Sequence, residues 1–146
     1  MPSELGPVLF RLISATHRLS RGATVRLDHG LSASHYRTLG LLRDIQPMRI
    51  GQLAEQNHIS QPGMTKIVAS LEAQGRVARL ADPADSRASI IEITDAGRDV
   101  LTQRGQDLAA LLKQDFSDLN DEQVAVLAKA ADILESRNAP KGGTSK

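Results

Sequence analysis

Three sets of side chains in this sequence could do chemistry. The first is the histidines, His17, His29, His35 and His58. They fall on different predicted elements, and no two are four residues apart. Zinc asks for three or four ligands at defined spacing, so solvated or hydrogen-bonded imidazoles are the better reading. The second set is the carboxylates from Asp95 onward, including Asp99, Asp107, Asp115, Asp118 and Asp121. None pairs with a base or nucleophile motif, and the chain has neither a glycine-rich phosphate loop nor a G-x-S-x-G turn. A solvated acidic face accounts for them. The third set lies mid-chain: Ser60, Gln61, Pro62, Gly63, Thr65 and Lys66 in one run, then Arg79, then Asp85, Ser86 and Arg87. A glutamine amide donates and accepts at once, as the edge of adenine requires, and Lys and Arg are the usual partners of phosphate. Only this third set forms a coherent chemistry, and it is one of contact, not of catalysis. No enzyme, metal or cofactor is expected.

The elements that would have to position these residues are mainly helical. Apolar residues at Leu5, Val8, Leu9, Leu12, Ile13, Thr16, Leu19, Ala23 and Leu27 keep helical period over about six turns. Asp28-His29-Gly30 stops that helix. Ser32 is the candidate N-cap of the next, with Tyr36, Leu39, Leu42 and Ile45 as its buried face, and Gln46-Pro47 breaks it. Two short helices follow. The first, near Arg49 to Gln56, buries Ile50, Leu53 and Ala54, and Asn57-His58 makes the turn. Ser60 caps the second, Pro62 sits in its first turn, and Met64, Ile67, Val68 and Leu71 form its inner stripe up to Gly75.

Period two then replaces period 3.6. Val77 to Leu80 and Ser89 to Ile93 read as strands joined by the polar loop Ala81 to Arg87. Thr94 caps a long helix over Asp95 to Phe116, with Val100, Leu101, Leu108, Leu111, Leu112 and Phe116 inward. Asn120-Asp121-Glu122-Gln123 reads as a capping box that opens a last helix with Val124, Leu127, Ala131 and Leu134 inward. A disordered tail is expected over 138–146.

Composition sets the bounds. The chain has 146 residues, only three of them aromatic (Phe10, Tyr36, Phe116), so its core must be built of Leu, Ile, Val and Ala. Without cysteine there are no disulfides, thiolate metal sites, cysteine nucleophiles or thiol-based redox sensing. Met1 to Arg11 lacks the design of a signal peptide, and no apolar run approaches the ~18 residues of a membrane span. A cytoplasmic protein without membrane contact is expected. Split after Ile45 and Ile93, the three parts carry net charges of +3, 0 and −2. A nucleic-acid binder would ideally show a basic footprint; here binding would rest on the placement of a few charges.

Two short helices joined by a tight turn and followed by a hairpin make a winged helix-turn-helix. Its second helix buries one face and leaves the other, here Gln61, Pro62, Thr65, Lys66 and Ala69, free for the major groove. Its N-terminus can present N–H groups to a phosphate. Arg87 near the loop tip suits the negative potential of an adjacent minor groove. The bland alternatives are a solvated Lys66, a solvated Gln61 and an Asp85–Arg87 turn pair worth little.

These residues resemble the MarR family of bacterial transcription regulators. The resemblance is carried by Leu31-Ser32 through Tyr36 and Leu39, by Leu53-Ala54, and by the run Ser60 to Val68. Leu71-Glu72 with Gly75, Asp82 to Arg87, and Ile93-Thr94-Asp95-Ala96-Gly97 complete it. It implies a mainly α fold with a small β-hairpin wing. The implied organisation is a dimerisation helix over 1–30, a DNA-binding lobe over 31–97 and dimerisation helices over 98–137. It further implies a homodimer reading a pseudo-palindrome in double-stranded DNA with half-sites ~10 bp apart. Repression would be relieved by a small effector, often a phenolic carboxylate, held between the dimer helices and the lobe. His17, Arg21 and His35 are the candidates for that site, with ordinary surface polarity as the alternative. Arg79 resembles the family's basic residue on that strand, which would brace the wing acids or touch phosphate. Two departures stand out: Ser86 replaces a residue that is more often basic, and Gly63 leaves base readout to Gln61, Thr65 and Lys66. A regulator without a small ligand and a helical interaction module are the other readings.

Overall fold

A computed structural model describes residues 4–27 and 30–138. The helix stop at Asp28-His29 and the tail from 139 lie outside the described residues. The order of elements is α1 (Leu5–Arg26), α2 (Ala33–Asp44), α3 (Ile50–Asn57), α4 (Gln61–Ala73), β1 (Val77–Asp82), β2 (Asp85–Ile93), α5 (Asp95–Asp115) and α6 (Asp121–Asn138). The chain divides into two compact units. One comprises the residues up to Gly30 with Gln103–Asp118; the other comprises Leu31–Thr102 and the residues from Leu119 on.

The core lies in the second unit. Leu39 and Leu42 from α2, Leu53 and Ala54 from α3, and Met64, Val68 and Leu71 from α4 bury against Val77, Ile91 and Ile93 of the hairpin, with Met48 beside them. These are the stripes that helical and period-two spacing select, and burying each large side chain contributes about 1.5–3 kcal/mol. Among the described residues one hydroxyl is buried, that of Thr38, and it is satisfied within its own helix by donating to the Ser34 carbonyl at 2.8 Å.

The caps follow sequence logic. Ser32 Oγ accepts from the His35 N–H, and Ser60 Oγ from the Gly63 N–H at 3.2 Å. Asn120 and Gln123 cap reciprocally at 2.9 and 3.1 Å. His58 ends α3 in the left-handed region at φ 54. Its neighbour Asn57 is not in the turn, however: it closes α3 and is buried, its amide donating to the Leu53 carbonyl at 2.8 Å.

Four further expectations are corrected. Ile45 is 55 % exposed, because α2 ends at Asp44 and Ile45, as its C-cap, leaves the helical stripe. Strand pairing runs farther than Leu80: Ala81 pairs with Ser89 and Asp82 with Asp85 around the Pro83-Ala84 turn, with Ser86, Arg87 and Ala88 taken up in the register shift, so the expected Ala81–Arg87 loop is in part ladder. Apolar alternation stops where burial stops, and an exposed hairpin end carries no such signal. Phe116 lies just beyond α5 and is exposed, while Val100, Leu101, Leu108, Leu111 and Leu112 are half-buried. Finally, no residue of α6 is buried, and Val124, Leu127, Ala131 and Leu134 are all exposed. Amphipathic period identifies a face that needs covering; it does not say that the same chain covers it.

The hairpin is tied to the lobe at its base. Met48 exchanges both backbone hydrogen bonds with Ile91, at 3.1 and 2.7 Å, adding a bridge outside the two strands. Gly75 at φ 68 lets the chain leave α4 into β1. Its carbonyl accepts from the Thr94 hydroxyl at 2.6 Å, and the Arg76 carbonyl accepts from the Thr94 N–H at 3.1 Å. Thr94 Oγ1 in turn accepts from the Gly97 N–H at 3.2 Å. A Cβ on Gly97 would lie 2.2 Å from the Arg76 carbonyl oxygen, a clash with backbone that cannot swing away. Gly97→Ala is therefore expected to destabilise the protein by about 1–3 kcal/mol in urea denaturation. Gly105→Ala, mid-helix with nothing within 4 Å of the new methyl, should be neutral or stabilising by up to about 1 kcal/mol.

Candidate nucleic-acid interface

The second unit presents α4 with one face in the core and the opposite face in water. Gln61, Pro62, Thr65, Lys66 and Ala69 are exposed on that face, while Met64, Val68 and Leu71 are buried behind them. Not all of these side chains are equally available. Thr65 donates its hydroxyl to the Gln61 carbonyl at 2.9 Å, so its oxygen is left to accept. The Gln61 amide oxygen lies over the start of α3, 3.9 Å from where a Gly51 Cβ would be. Lys66 makes no hydrogen bond or ion pair among the described residues.

The wing is ordered by its own acids. Asp82 Oδ1 accepts from the Ala84 N–H at 2.8 Å and Asp85 Oδ1 from the Arg87 N–H at 3.0 Å. Both are Asx-type turns that fold the tip. Asp85 thus meets the backbone of Arg87, and its carboxylate forms no ion pair with the Arg87 guanidinium. Ser86 and Arg87 are exposed, and the Arg87 guanidinium has no partner among the described residues. Arg87 stands on β2, beyond the turn, not at the loop tip.

Arg79 turns the other way. Its guanidinium is 3.4 Å from Glu72 on α4 and does not brace the wing acids. That position is taken by Arg49, whose guanidinium meets Asp82 Oδ2 at 2.6 Å. The Ala84 N–H first, and the Arg49 guanidinium after it, hold the Asp82 carboxyl below the ordinary carboxylate range. Sequence reading missed Arg49, which was seen only as the start of a helix. One signal was there: helix N-caps favour Ser, Thr, Asp and Asn, so an arginine at that position calls for a reason.

The candidate effector residues are split between the two units. His17 and Arg21 are exposed on α1 in the first, and His35 is half-buried on α2 in the second. His35 Nδ1 is 2.6 Å from Ser32 Oγ. Burial, with the Arg76 charge adding, pushes its imidazole below the ordinary value of 6.5. Arg76 Nη1 is itself buried without a hydrogen-bond partner. Among the described residues, no three His, Asp or Glu side chains converge as metal ligands would, and no helix is long and apolar enough to cross a membrane.

A capped helix held across a shorter one, with an antiparallel hairpin at its exit, defines a winged helix-turn-helix DNA-binding protein. Comparison with known proteins agrees. A family model described as "MarR family" matches residues 29–88. An HTH-type transcriptional regulator of Mycobacterium bovis is 28% identical over 121 residues, covering 82% of this chain and 85% of that one. The transcriptional regulator Tm0710 of Thermotoga maritima superposes with a TM-score of 0.70 at 25% identity, over 90% of this chain and 93% of that one. BpsR of Bordetella bronchiseptica, whose DNA binding is regulated by 6-hydroxynicotinic acid, shares the fold with a TM-score of 0.54 at 22% identity, over 90% of this chain and 93% of that one. The chain thus resembles the MarR family of transcriptional regulators across its winged helix-turn-helix lobe, and it is similar to HTH-type transcriptional regulators over most of its length.

The His35 shift carries a sign. The folded protein disfavours the imidazolium more than the unfolded chain does, so this contribution to stability is fully present above about 6.5 and is lost as pH falls through the lowered folded value. Denaturation midpoints taken from about pH 8 down to about pH 5 should therefore fall less steeply for His35→Gln than for the parent.

Proposed function

We propose that this chain is a cytoplasmic repressor that binds a pseudo-palindromic operator as a homodimer and is released by a small carboxylate effector. One observation carries the DNA-contact reading: Lys66 on the free face of α4 and Arg87 on the wing are exposed cations that no acid in the lobe neutralises. In a lobe of balanced charge, these two stand on the helix face and the wing that a groove would meet, free for phosphate and base edges. Ser60, Pro62 and Gly63 set the helix N-terminus against the backbone, Gln61 and Thr65 supply hydrogen bonds, and Asp85 with Ser86 shapes the wing around Arg87. Arg79, engaged with Glu72, holds the recognition helix in place.

The dimer reading rests on apolar surface. Leu5, Val8, Leu9, Phe10, Ile13, Leu19 and Val25 of α1, and Val124, Val126, Leu127, Ile133 and Leu134 of α6, are all exposed in one chain. Monomeric proteins rarely leave such stripes in water, and a second copy is the partner that symmetry supplies most readily. On this reading 31–97 is the DNA-binding lobe, while 1–30 and 98–137 dimerise. The effector reading rests on His17, Arg21 and His35 and on the 6-hydroxynicotinic acid response of BpsR, a hydroxy-aromatic carboxylate acting on a protein of this fold. Such a ligand needs only to favour a dimer geometry that misplaces the recognition helices; a coupling of about 1–3 kcal/mol shifts operator affinity some 5–150-fold.

Fluorescence anisotropy with duplex DNA from upstream of the protein's own gene tests the reading. Lys66→Ala and Arg87→Ala should each weaken binding about fivefold to a hundredfold and flatten the salt dependence, with unrelated DNA bound more weakly throughout. Equal binding to unrelated DNA by all three proteins would overturn it. In light scattering the parent should be dimeric at concentrations where Leu127→Asp is monomeric. Salicylate or 6-hydroxynicotinic acid should release the DNA, and an unchanged response in Arg21→Ala would remove that residue from the effector site.

A further inference from the structure

The wing is held by a residue outside it. Asp82 sits where the β1–β2 register slips beside the turn, and its carboxylate is used on both sides. Oδ1 takes the Ala84 N–H and Oδ2 takes the Arg49 guanidinium through Nε and Nη2, both at 2.6 Å. The Asp82 side chain is only 11 % exposed, against 45 % for Arg49, so the carboxylate is the enclosed partner. Arg49 itself cannot wander. Its N–H donates to Gln52 Oε1 at 3.1 Å, and the residue before it, Met48, is bridged to Ile91 of β2. The hairpin is therefore fixed to the start of α3 twice, by backbone at Met48–Ile91 and by an ion pair at Arg49–Asp82. Along the chain between the tied residues Asp82 and Ile91 lie the turn and, three residues beyond it, Arg87.

From this geometry we infer that Arg49 is a positioning residue for DNA binding: it holds the wing, through Asp82, in the pose that presents Arg87. It acts through Asp82 and makes no DNA contact of its own. Without the clamp the Asx turns at the hairpin end open more often, and the end is free to swing about the Met48–Ile91 bridge. Arg87 must then be ordered at the moment of binding, and that ordering cost appears as lost affinity. The inference rests on the reading of Arg87 as a DNA contact.

The alternative is that Arg49 touches a DNA phosphate directly, and the two predict opposite signs for one substitution. Asp82→Asn keeps an oxygen for the Ala84 N–H but gives up the charge that holds Arg49. If Arg49 positions the wing, Arg49→Gln and Asp82→Asn each weaken binding to the upstream duplex by about threefold to tenfold, the double variant is no worse than either, and Arg49→Lys falls between. If Arg49 meets phosphate itself, Asp82→Asn frees the guanidinium and tightens binding, which overturns the inference. In an Arg87→Ala background, Arg49→Gln should cost nothing further; a full additional loss there would also overturn it. Amide hydrogen exchange on the free protein supplies a readout without DNA. Ala84 and Arg87 should exchange faster in Arg49→Gln while the α4 amides are unchanged, whereas acceleration throughout the lobe would mean a general stability role. Should Arg87→Ala bind as the parent does, the DNA-contact reading of the wing fails as a whole. Should Arg87→Ala weaken binding while Arg49→Gln does not, the clamp alone fails.

Discussion

Much of the DNA-binding lobe depends on how closely the start of α5 can approach the exit of α4. Gly97 stands where any side chain would strike the Arg76 carbonyl, and Thr94 uses both its N–H and its hydroxyl on the two carbonyls that follow the recognition helix. That contact sets three things at once: where α4 ends, how β1 departs, and where β2 gives way to α5. A glycine in the first turn of α5 and the threonine just before that helix are modest residues, yet the angle between recognition helix and wing is built on them. Burying Val68, Leu71, Val77, Ile91 and Ile93 together supplies the driving force; the approach of backbone to backbone supplies the geometry.

Electrostatics in the lobe divides along the same line. Arg49 and Arg79 are each paired with an acid, Asp82 and Glu72. Lys66 and Arg87 have no such commitment. A net charge near zero is thus compatible with DNA binding, because what matters is which cations remain free after internal pairing. Counting charges along the sequence cannot separate the two kinds, since all four are basic residues within about forty positions of one another.

The terminal helices follow a different logic. Their apolar stripes are as regular as those of the lobe, but in a single chain α6 buries nothing, and α1 buries only Ala23. An apolar face left uncovered in this way is the condition of a surface that calls for a partner. In the dimer proposed above, stability and function would share a surface: whatever covers α1 and α6 would hold two lobes at the spacing an operator demands.

Sequence by itself determined the elements and their caps. Ser32, Ser60, Thr94 and Asn120 mark helix starts because their oxygens suit unpaired N–H groups, and the stripes through Leu39, Leu53, Met64 and Leu71 follow from period alone. The resemblance to a family, too, was legible in the order of its motifs. Contacts distant along the chain were not legible. That Arg49 reaches Asp82 across thirty-three positions, that Arg79 turns to Glu72, that Met48 pairs with Ile91, and that Ile45 escapes its stripe all depend on how the elements pack. Local patterns record which face of an element is apolar and which backbone groups need a cap. Which cation meets which acid is settled only when tertiary packing brings the elements within hydrogen-bond reach, a distance that residue type and spacing do not encode.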